Sequence, residues 1–373
     1  VAAVALRLLA DDLTGALDTA AQFSGATGPV VVRFRPGDWR AAEPRLAFCA
    51  DTRERSEAQA QTVMAELARF FAGADIAFLK IDSLLRGHAA ASLAQAFQNG
   101  GFRSCVFAPA FPAQHRITRG GMQLARVLDG AWHDVRPRFV DELAAAGLRV
   151  RLVTDAARLG GAGVFVCDAE SDGDLTEIVA HAIALAPPLL WCGSAGLARA
   201  VANAAVPRTA VPGAPLLGII GSNHPVSRAQ VAALQQAQPD VVFALRHGSG
   251  DAPLVRERLA RGAVAVVTFA LEEGLAADDA GRRIRAALAN LLPRLPRPHG
   301  AFVTGGETLG IVASAAGATG FTVGGEVAPG LPCSLLRGGP WDGVRIVSKS
   351  GAFGDAGLLA RFVANAGAPL QGA

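Results

Sequence analysis

The sequence predicts an α/β protein of two domains, each a mainly parallel sheet flanked by helices, the second ending in a mixed portion. Three observations predict it. Short apolar runs alternate with Ala/Leu-rich helical segments through most of the 373 residues, as in parallel strands covered on both faces. The stretch V-P-R-T-A-V-P-G-A-P at 206–215 breaks that alternation, which then restarts. Beyond residue 320, three strand-like runs follow without long helices between them, which suits antiparallel or mixed pairing. The expected division is a first domain over 1–206, a linker over 207–215 and a second domain over 216–373.

In the first domain the apolar runs predict strands near 4–10, 30–34, 46–50, 75–80, 104–108, 163–167 and 188–192. Residues 56–72 show helical spacing, opened by Ser56 and closed by Gly73. Helices are also expected to begin near Thr14 and near residue 89. In the second domain strands are expected at 216–220, 240–245, 263–268 and 300–304, and helices at 225–237, 252–261 and 277–292. A final helix is expected at 355–365.

Composition narrows the function classes. A hydrophobic fraction of 51% excludes general disorder, and a net charge of +3 with arginines dispersed among acids argues against a nucleic-acid partner. No apolar stretch is long enough to cross a bilayer, so no membrane partner is expected. The opening V-A-A-V-A-L-R-L-L-A runs directly into Asp11 and Asp12 and reads as a core strand, not a signal peptide. Five cysteines, odd in number and mostly inside apolar runs, read as small core residues of a cytoplasmic protein. Nothing in the sequence decides oligomeric state, and a homo-oligomer stays open.

In parallel sheets, ligands bind at the edge formed by the carboxyl ends of the strands. The polar clusters after strands in the first domain are A-D-D-L-T-G-A (10–16), D-T-R-E-R-S (51–56) and K-I-D-S-L-L-R-G-H (80–88). They bring Asp11, Asp12, Arg53, Lys80, Asp82, Ser83 and Arg86 to one edge. Such a set combines carboxylates that accept protons from hydroxyls with cations that hold an anion, which suits a hydroxy acid. Plainer readings stand beside this one. Asp11 or Asp12 can cap the helix near Thr14, Asp82 and Ser83 the helix near 89, and Arg53 and Arg55 can belong to a solvated face with Glu54 and Glu57.

Lys80 and Lys349 are the only lysines, against 33 arginines, and both end predicted strands. A compact ammonium reaches an oxygen in a crowded loop where a planar guanidinium needs a wider fork. In the second domain G-S-N-H-P (221–225), T-G-G-E-T (304–308), P-G-L-P (329–332) and K-S-G-A-F-G (349–354) are glycine turns. Such turns admit phosphate oxygens to backbone N–H groups, so a nucleotide site is expected. Neither G-x-x-x-x-G-K-[ST] nor G-x-G-x-x-G occurs, and no metal-ligand set is read from the sequence.

In order along the chain, A-D-D-L-T-G-A-L-D-T, K-I-D-S-L-L-R-G-H, A-P-A-F-P with R-I-T-R-G-G, G-S-N-H-P-V-S-R-A-Q, V-T-G-G-E-T, E-V-A-P-G-L-P and V-S-K-S-G-A-F-G resemble the four-carbon acid sugar kinases. That family includes D-threonate, D-erythronate and 3-oxotetronate kinases. The resemblance implies an N-terminal domain for the sugar acid, a C-terminal domain for the nucleotide, and ATP-dependent phosphorylation of the terminal hydroxyl, with Mg²⁺ on the phosphates. It assigns Asp11, Asp12, Arg53 and the Lys80–Arg86 segment to the acid site. It assigns Ser222, Gly305, Gly306, Glu307 and the segment Lys349, Ser350, Gly351 to Gly354 to the ATP site. The expected catalytic carboxylate is Asp12, then Asp82, with Asp11, Arg53, Lys80, Ser83 and Arg86 binding substrate. Leu84 stands where the family usually has a hydroxyl residue, His115 stands where it usually has glycine before Arg116, and the stretch 129–165 is short. These departures bear on which acid is used. A non-catalytic sugar-acid sensor on the same fold is the alternative, and an NAD-type oxidoreductase is weakened by the missing fingerprint.

Overall fold

In the computed structural model, residues 4–371 are described, apart from 41, 127–129, 136–137, 186, 246–250, 271–274 and 276. The chain separates into two compact units, Val1–Val206 and Pro207–Ala373.

The first unit is built on β1 (Leu6–Ala10), β2 (Val30–Arg33), β3 (Arg45–Cys49), β4 (Ile76–Lys80) and β5 (Ser104–Ala108), followed by β6 (Arg116–Arg119), β7 (Met122–Arg126), β8 (Trp132–Asp134), β9 (Val150–Val153), β10 (Gly163–Cys167) and β11 (Leu189–Gly193). Its helices are α1 (Leu13–Thr27), α2 (Glu57–Leu67), α3 (Ala89–Asn99), α4 (Phe139–Ala145), α5 (Asp172–Ala182) and α6 (Ala195–Ala202). Eight strands pair in the order β2-β3-β1-β4-β11-β5-β10-β9, all parallel.

Successive residues on a strand point to opposite faces, so a sheet covered on both needs apolar residues throughout. Phe78 of β4 meets Phe23 of α1 edge-on at 5.6 Å. Its neighbour Leu79 belongs to the opposite core, with Phe48, Phe70, Phe71 and Leu93. Each fully buried side chain of this size contributes about 1.5–3 kcal/mol. The seven strands expected in this unit are all present. The antiparallel ribbon β6-β7-β8 and the edge strand β9 are additions to the expectation.

The second unit contains β12 (Leu216–Ile220), α7 (Pro225–Ala237), β13 (Val242–Leu245), α8 (Asp251–Ala260), β14 (Val264–Phe269), α9 (Ala277–Leu291), β15 (Gly300–Thr304), α10 (Gly306–Ala315), β16 (Gly320–Ala328), β17 (Leu331–Arg337), β18 (Arg345–Lys349) and α11 (Leu358–Ala364). Its strands run β13-β14-β12-β15-β18-β17-β16. The first five are parallel, while β17 is antiparallel to β18 and to β16, so the mixed portion lies where the sequence predicts it.

Residues 207–215, read from their prolines as a linker, are packed on this second unit. Thr209 N–H donates to Glu326 O at 3.0 Å, Val211 is buried and donates to Ala368 O at 2.9 Å, and Arg208 pairs with Glu326 at 3.0 Å. Two of the N–H groups that the prolines leave, those of Thr209 and Val211, are thus paired. The P-G-L-P turn closes the β16–β17 hairpin, where Ala328 faces Leu331. No helix among the described residues is long and apolar enough to cross a membrane. All five cysteines are buried and free, and burial pushes the Cys167 thiol up to about 12.

Register sets the edge of the first unit at which the polar loops gather. Ala10 pairs with Cys49 and with Lys80, Lys80 with Gly193, and Gly193 with Ala108. Five strands therefore end level, and the loops that leave them share one edge. Gly193 permits this close approach, because a Cβ there would lie 2.2 Å from Ala108 O. Gly193→Ala is expected to lower stability by about 2–3 kcal/mol through overpacking. Gly310→Ala, inside α10 with nothing within 4 Å of the added methyl, is expected to raise it by about 0.5–1 kcal/mol. Urea denaturation of both variants beside the parent checks the pair.

Candidate active site: an ion-paired edge and a glycine-lined cavity

At the edge of the first unit, Arg53 is the hub. Its Nε and Nη2 donate to the two oxygens of Asp11 at 2.8 and 2.9 Å, and Nη2 also pairs with Asp12 Oδ1 at 2.7 Å and stands 3.8 Å from Asp82 Oδ1. The loop is fixed from the backbone as well, since Thr52 and Arg53 N–H groups donate to Asp11 O at 3.0 and 3.3 Å. Gly87, at φ 76°, packs on Arg53, whose Cγ would lie 3.2 Å from an added Cβ. Arg53 thus belongs to a buried network and not to a solvated face.

Asp12 is both a helix cap and a member of that network. It accepts from Gly15 N–H at 2.9 Å, capping α1, and from the Thr14 hydroxyl. Asp82 is gripped by Arg86, whose Nε and Nη2 lie 2.6 and 2.9 Å from its two oxygens. Neither Asp82 nor Ser83 caps α3, whose N-cap residue is His88 and makes no side-chain cap. Ser83 is buried, and its carbonyl accepts from Gln123 Nε2 at 2.8 Å. Lys80 is 5% exposed, and its Nζ donates to Ile81 O at 2.7 Å. Gly15 leaves room for it, because a Cβ there would lie 3.0 Å from Nζ.

The electrostatics follow from this packing. Burial works to raise Asp12 and Asp82, but Arg53 with Lys80 in the first case, and Arg53 with Arg86 in the second, outweigh it and hold both carboxyls below the usual range. Asp11 goes the other way, raised by burial and by the charge of Asp12 against the opposing pull of Arg53. Burial works to lower Arg53, and its three carboxylates reverse that and raise it well above normal. At neutral pH, then, Asp12 and Asp82 are ionised acceptors of low basicity. They suit orienting a hydroxyl better than storing its proton.

Backbone strain gathers in the same loops. Asp51, Leu85 and His115 have φ of 51°, 52° and 57°, a region that non-glycine residues rarely enter, and they follow β3, β4 and β5. His115 is exposed and ends a short 3₁₀ turn, while its neighbour Arg116 is buried. Gly15, Gln123 and Arg116 are the residues at this edge that sequence reasoning missed. A signal for the ribbon carrying the last two was present. R-I-T-R-G-G-M-Q-L-A-R is two alternating runs around Gly-Gly, a hairpin pattern, and Gly120 and Gly121 both have positive φ.

In the second unit a cavity of about 710 Å³ opens at the carboxyl ends of β12, β14 and β15. Gly221, Ser222, Gly305, Gly306, Glu307 and Thr308 line its polar end, and Val231, Leu275, Ala280 and Ile284 supply apolar wall. Glycine gives close approach at both positions, at Gly221 with no room to spare and at Gly281 against the movable end of Glu307. A Cβ on Gly221 would lie 2.0 Å from Thr308 Oγ1, and one on Gly281 2.1 Å from Glu307 Oε1. Gly305, at φ 100°, opens α10 without a side-chain cap, so the first N–H groups of that helix face the cavity end with their partial positive charge. That end can hold an anion, and the apolar wall can take a flat base.

Of the residues expected at a nucleotide site, Ser222, Gly305, Gly306 and Glu307 line the cavity. Lys349, Ser350, Gly351 and Gly354 form an adjoining loop, joined to it where Gly351 closes on Ser222, 2.1 Å from Oγ to an added Cβ. The Lys349 ammonium is turned into this loop. It is 1% exposed and donates to Ser350 O at 2.9 Å and Phe353 O at 3.0 Å, with Gly351 O at 3.5 Å. From α7, Ser227 Oγ binds Gly351 O at 2.8 Å and Gln230 Nε2 binds Phe353 O at 3.0 Å. Lysine serves here as an internal clasp, and its geometry does not present a free ammonium to the cavity.

Lys349→Met is accordingly expected to lower stability by about 1–3 kcal/mol, since it strips hydrogen bonds from buried carbonyls. Burial brings the Lys349 pKa down to about 7 from the ordinary 10.5. The folded state thus binds fewer protons than the unfolded one between these values, and the Lys349 contribution to stability rises as pH climbs from 7 toward 10. Chemical denaturation at pH 7 and pH 10 should show the parent gaining stability relative to the Met variant. A constant difference would place the clasp's charge elsewhere in the balance.

Residues 6–136 and 136–201 match the family model of a sugar-binding N-terminal domain, and residues 217–359 that of a nucleotide-binding C-terminal domain. A D-threonate kinase of Cupriavidus necator is 33% identical over 94% of this chain and 95% of its own length. A 3-oxo-tetronate kinase of Methylobacterium radiotolerans is 33% identical over 56% of this chain and 54% of its own. A crystal structure from Salmonella typhimurium is similar in fold, with a TM-score of 0.72 at 21% identity over 98% of this chain and 99% of that one. Matched along both its units, the chain belongs to the four-carbon acid sugar kinase family.

Proposed function

We propose that the protein transfers the terminal phosphoryl group of ATP to the terminal hydroxyl of a four-carbon sugar acid of the threonate, erythronate or 3-oxotetronate type. The observation that carries this reading is the near full-length match to a D-threonate kinase, together with family models for a sugar-binding and a nucleotide-binding half. Nothing observed favours a non-catalytic sensor.

Phosphoryl transfer passes through a loose transition state and asks the protein for positioning and charge compensation more than for covalent work. The 710 Å³ cavity would hold the nucleotide, its base along Val231 and Ile284 and its phosphates at Ser222, Gly305 and Gly306. Mg²⁺ would neutralise charge on the phosphate oxygens, and Glu307, a carboxylate at the cavity's polar end, fits the preference of that ion for one or two protein carboxylates beside phosphates.

In the first unit Asp12 is the better candidate to receive the acceptor hydroxyl. Its Oδ2 is engaged by the Thr14 hydroxyl and keeps room for a second donor. Asp82 Oδ2 already accepts from Arg86 Nε and from Arg86 N–H at 3.3 Å, and Oδ1 from Arg86 Nη2. Because Asp12 is held below the usual carboxylate range, it orients the hydroxyl and takes its proton only late, as the new phosphorus–oxygen bond forms and the bond to ADP breaks, then yields that proton to solvent.

The test is an ADP-release assay with ATP, Mg²⁺ and a panel of three- to six-carbon hydroxy acids and neutral polyols. Turnover is expected with a four-carbon acid at least ~100-fold above any polyol, by analogy with sites whose buried charges reject ligands that cannot pair them. Asp12→Asn should lower kcat by about 10²–10³ while nucleotide affinity stays constant. An acid that binds tightly but never provokes ADP release would favour the sensor, and full turnover in the Asn variant would move the orienting role away from Asp12.

A further inference from the structure

We propose that Arg116 is the anchor for the substrate's carboxylate, engaging it through the Nε and Nη2 edge of its guanidinium; this rests on the kinase reading above. The starting observation is that the other arginines at this edge are spent. Arg53 gives Nε and Nη2 to Asp11, and Arg86 gives the same two donors to Asp82. That edge of a guanidinium matches a carboxylate with two parallel hydrogen bonds.

Arg116 is 8% exposed and is fastened by its other nitrogen. Nη1 donates to Gln114 O at 2.6 Å and His115 O at 3.0 Å. Its Nε is buried with no hydrogen-bond partner, Nη2 donates to no described residue, and the side chain forms no ion pair among the described residues. A buried guanidinium pinned on one side, with its carboxylate-binding edge unused, is a costly arrangement unless a ligand completes it.

The place of Arg116 fits that ligand. It opens β6 directly after the turn that follows β5, and Phe111 and Arg116 exchange backbone hydrogen bonds of 2.9 and 3.1 Å. Gln123 of the paired strand β7 ties the ribbon to the Ser83 and Pro109 carbonyls at 2.8 and 3.3 Å, which holds Arg116 beside the loop of Asp82 and Arg86. The charges of Asp82 and Arg86 both act on Arg116. Around this edge Asp11, Asp12 and Asp82 stand against Arg53, Lys80, Arg86 and Arg116. One more monoanion would balance these seven groups. A sugar acid carries one carboxylate, and with that carboxylate on Arg116 its hydroxyls are left to the ionised aspartates.

The experiment measures binding of D-threonate and of its uncharged amide to the full chain by calorimetry, for the parent, Arg116→Gln and Arg116→Lys, with ATP binding and acid-dependent turnover measured in parallel. Arg116→Gln should weaken D-threonate at least 100-fold and the amide no more than three-fold. Arg116→Lys, which keeps the charge without the two-donor edge, should weaken D-threonate 10- to 30-fold, and ATP affinity should stay constant in both. If Gln disrupts folding, judged by loss of ATP binding or of the unfolding transition, the Lys variant carries the test. Unchanged affinity for D-threonate in the folded variants, or equal losses for acid and amide, would overturn the anchor. Turnover in the parent with affinity unaffected in the variants would remove Arg116 and keep the kinase; Arg116-dependent binding of the acid without turnover would keep the anchor and remove the kinase. A parent that binds no four-carbon acid would overturn both.

Discussion

Arg53 meeting Asp11, Asp12 and Asp82 is the interaction on which the strand-end edge of the first unit depends. Three carboxylates at the ends of neighbouring strands would repel one another, and burial would push their protons back on. One guanidinium, donating to two of them and standing 3.8 Å from the third, converts that repulsion into a rigid arrangement. Its consequence is chemical as well as structural, because Asp12 and Asp82 remain ionised in a site from which water is largely withdrawn. The carboxylates are therefore set in place before any substrate arrives. The level strand ends, enforced by parallel register from Cys49 to Ala108, are what bring the three loops within reach of a single arginine.

The second unit solves a related problem with backbone instead of side-chain charge. Its cavity is walled by a turn that approaches helix α10 so closely that Gly221 has no room for a side chain beside Thr308. Helix α10, opened by Gly305 without a side-chain cap, then brings its N-terminal end and partial positive charge to the polar end. Lys349 holds the neighbouring loop from within. A lysine amino group suits that task better than a guanidinium, since three carbonyls converge on one small donor group. The lysine at 349, one of two in the chain, thus has a local structural role in holding this loop.

Much of the fold was legible because parallel strands buried on both faces are written as unbroken apolar runs, and the polar clusters at their ends mark one edge of the sheet. Asp11, Asp12, Arg53, Lys80 and Asp82 could be placed together for that reason. Side-chain partnerships were not legible. Whether Arg53 faces a ligand or three aspartates depends on where rotamers point once the loops are packed, and neither spacing nor composition carries that. Arg116 does not stand out in the sequence, because the Gly120-Gly121 hairpin signature gives the fold of its ribbon and not the direction of its guanidinium. The segment 207–215 looked like a linker because proline removes donors, yet the donors left at Thr209 and Val211 are both paired within the second unit.

A network built on a single branching donor has a sharp consequence for substitution. Lysine at position 53 keeps the charge but cannot serve Asp11 through two donors while also reaching Asp12 and Asp82. The most direct measurement is therefore calorimetric binding of a four-carbon sugar acid and of ATP, separately, to Arg53→Lys. The expected result is loss of acid binding by at least ~100-fold, as when a partner of a buried, hydrogen-bonded charge set is removed, with ATP affinity within two-fold of the parent. Acid binding that survives Arg53→Lys unchanged would contradict the view that one arginine organises the site.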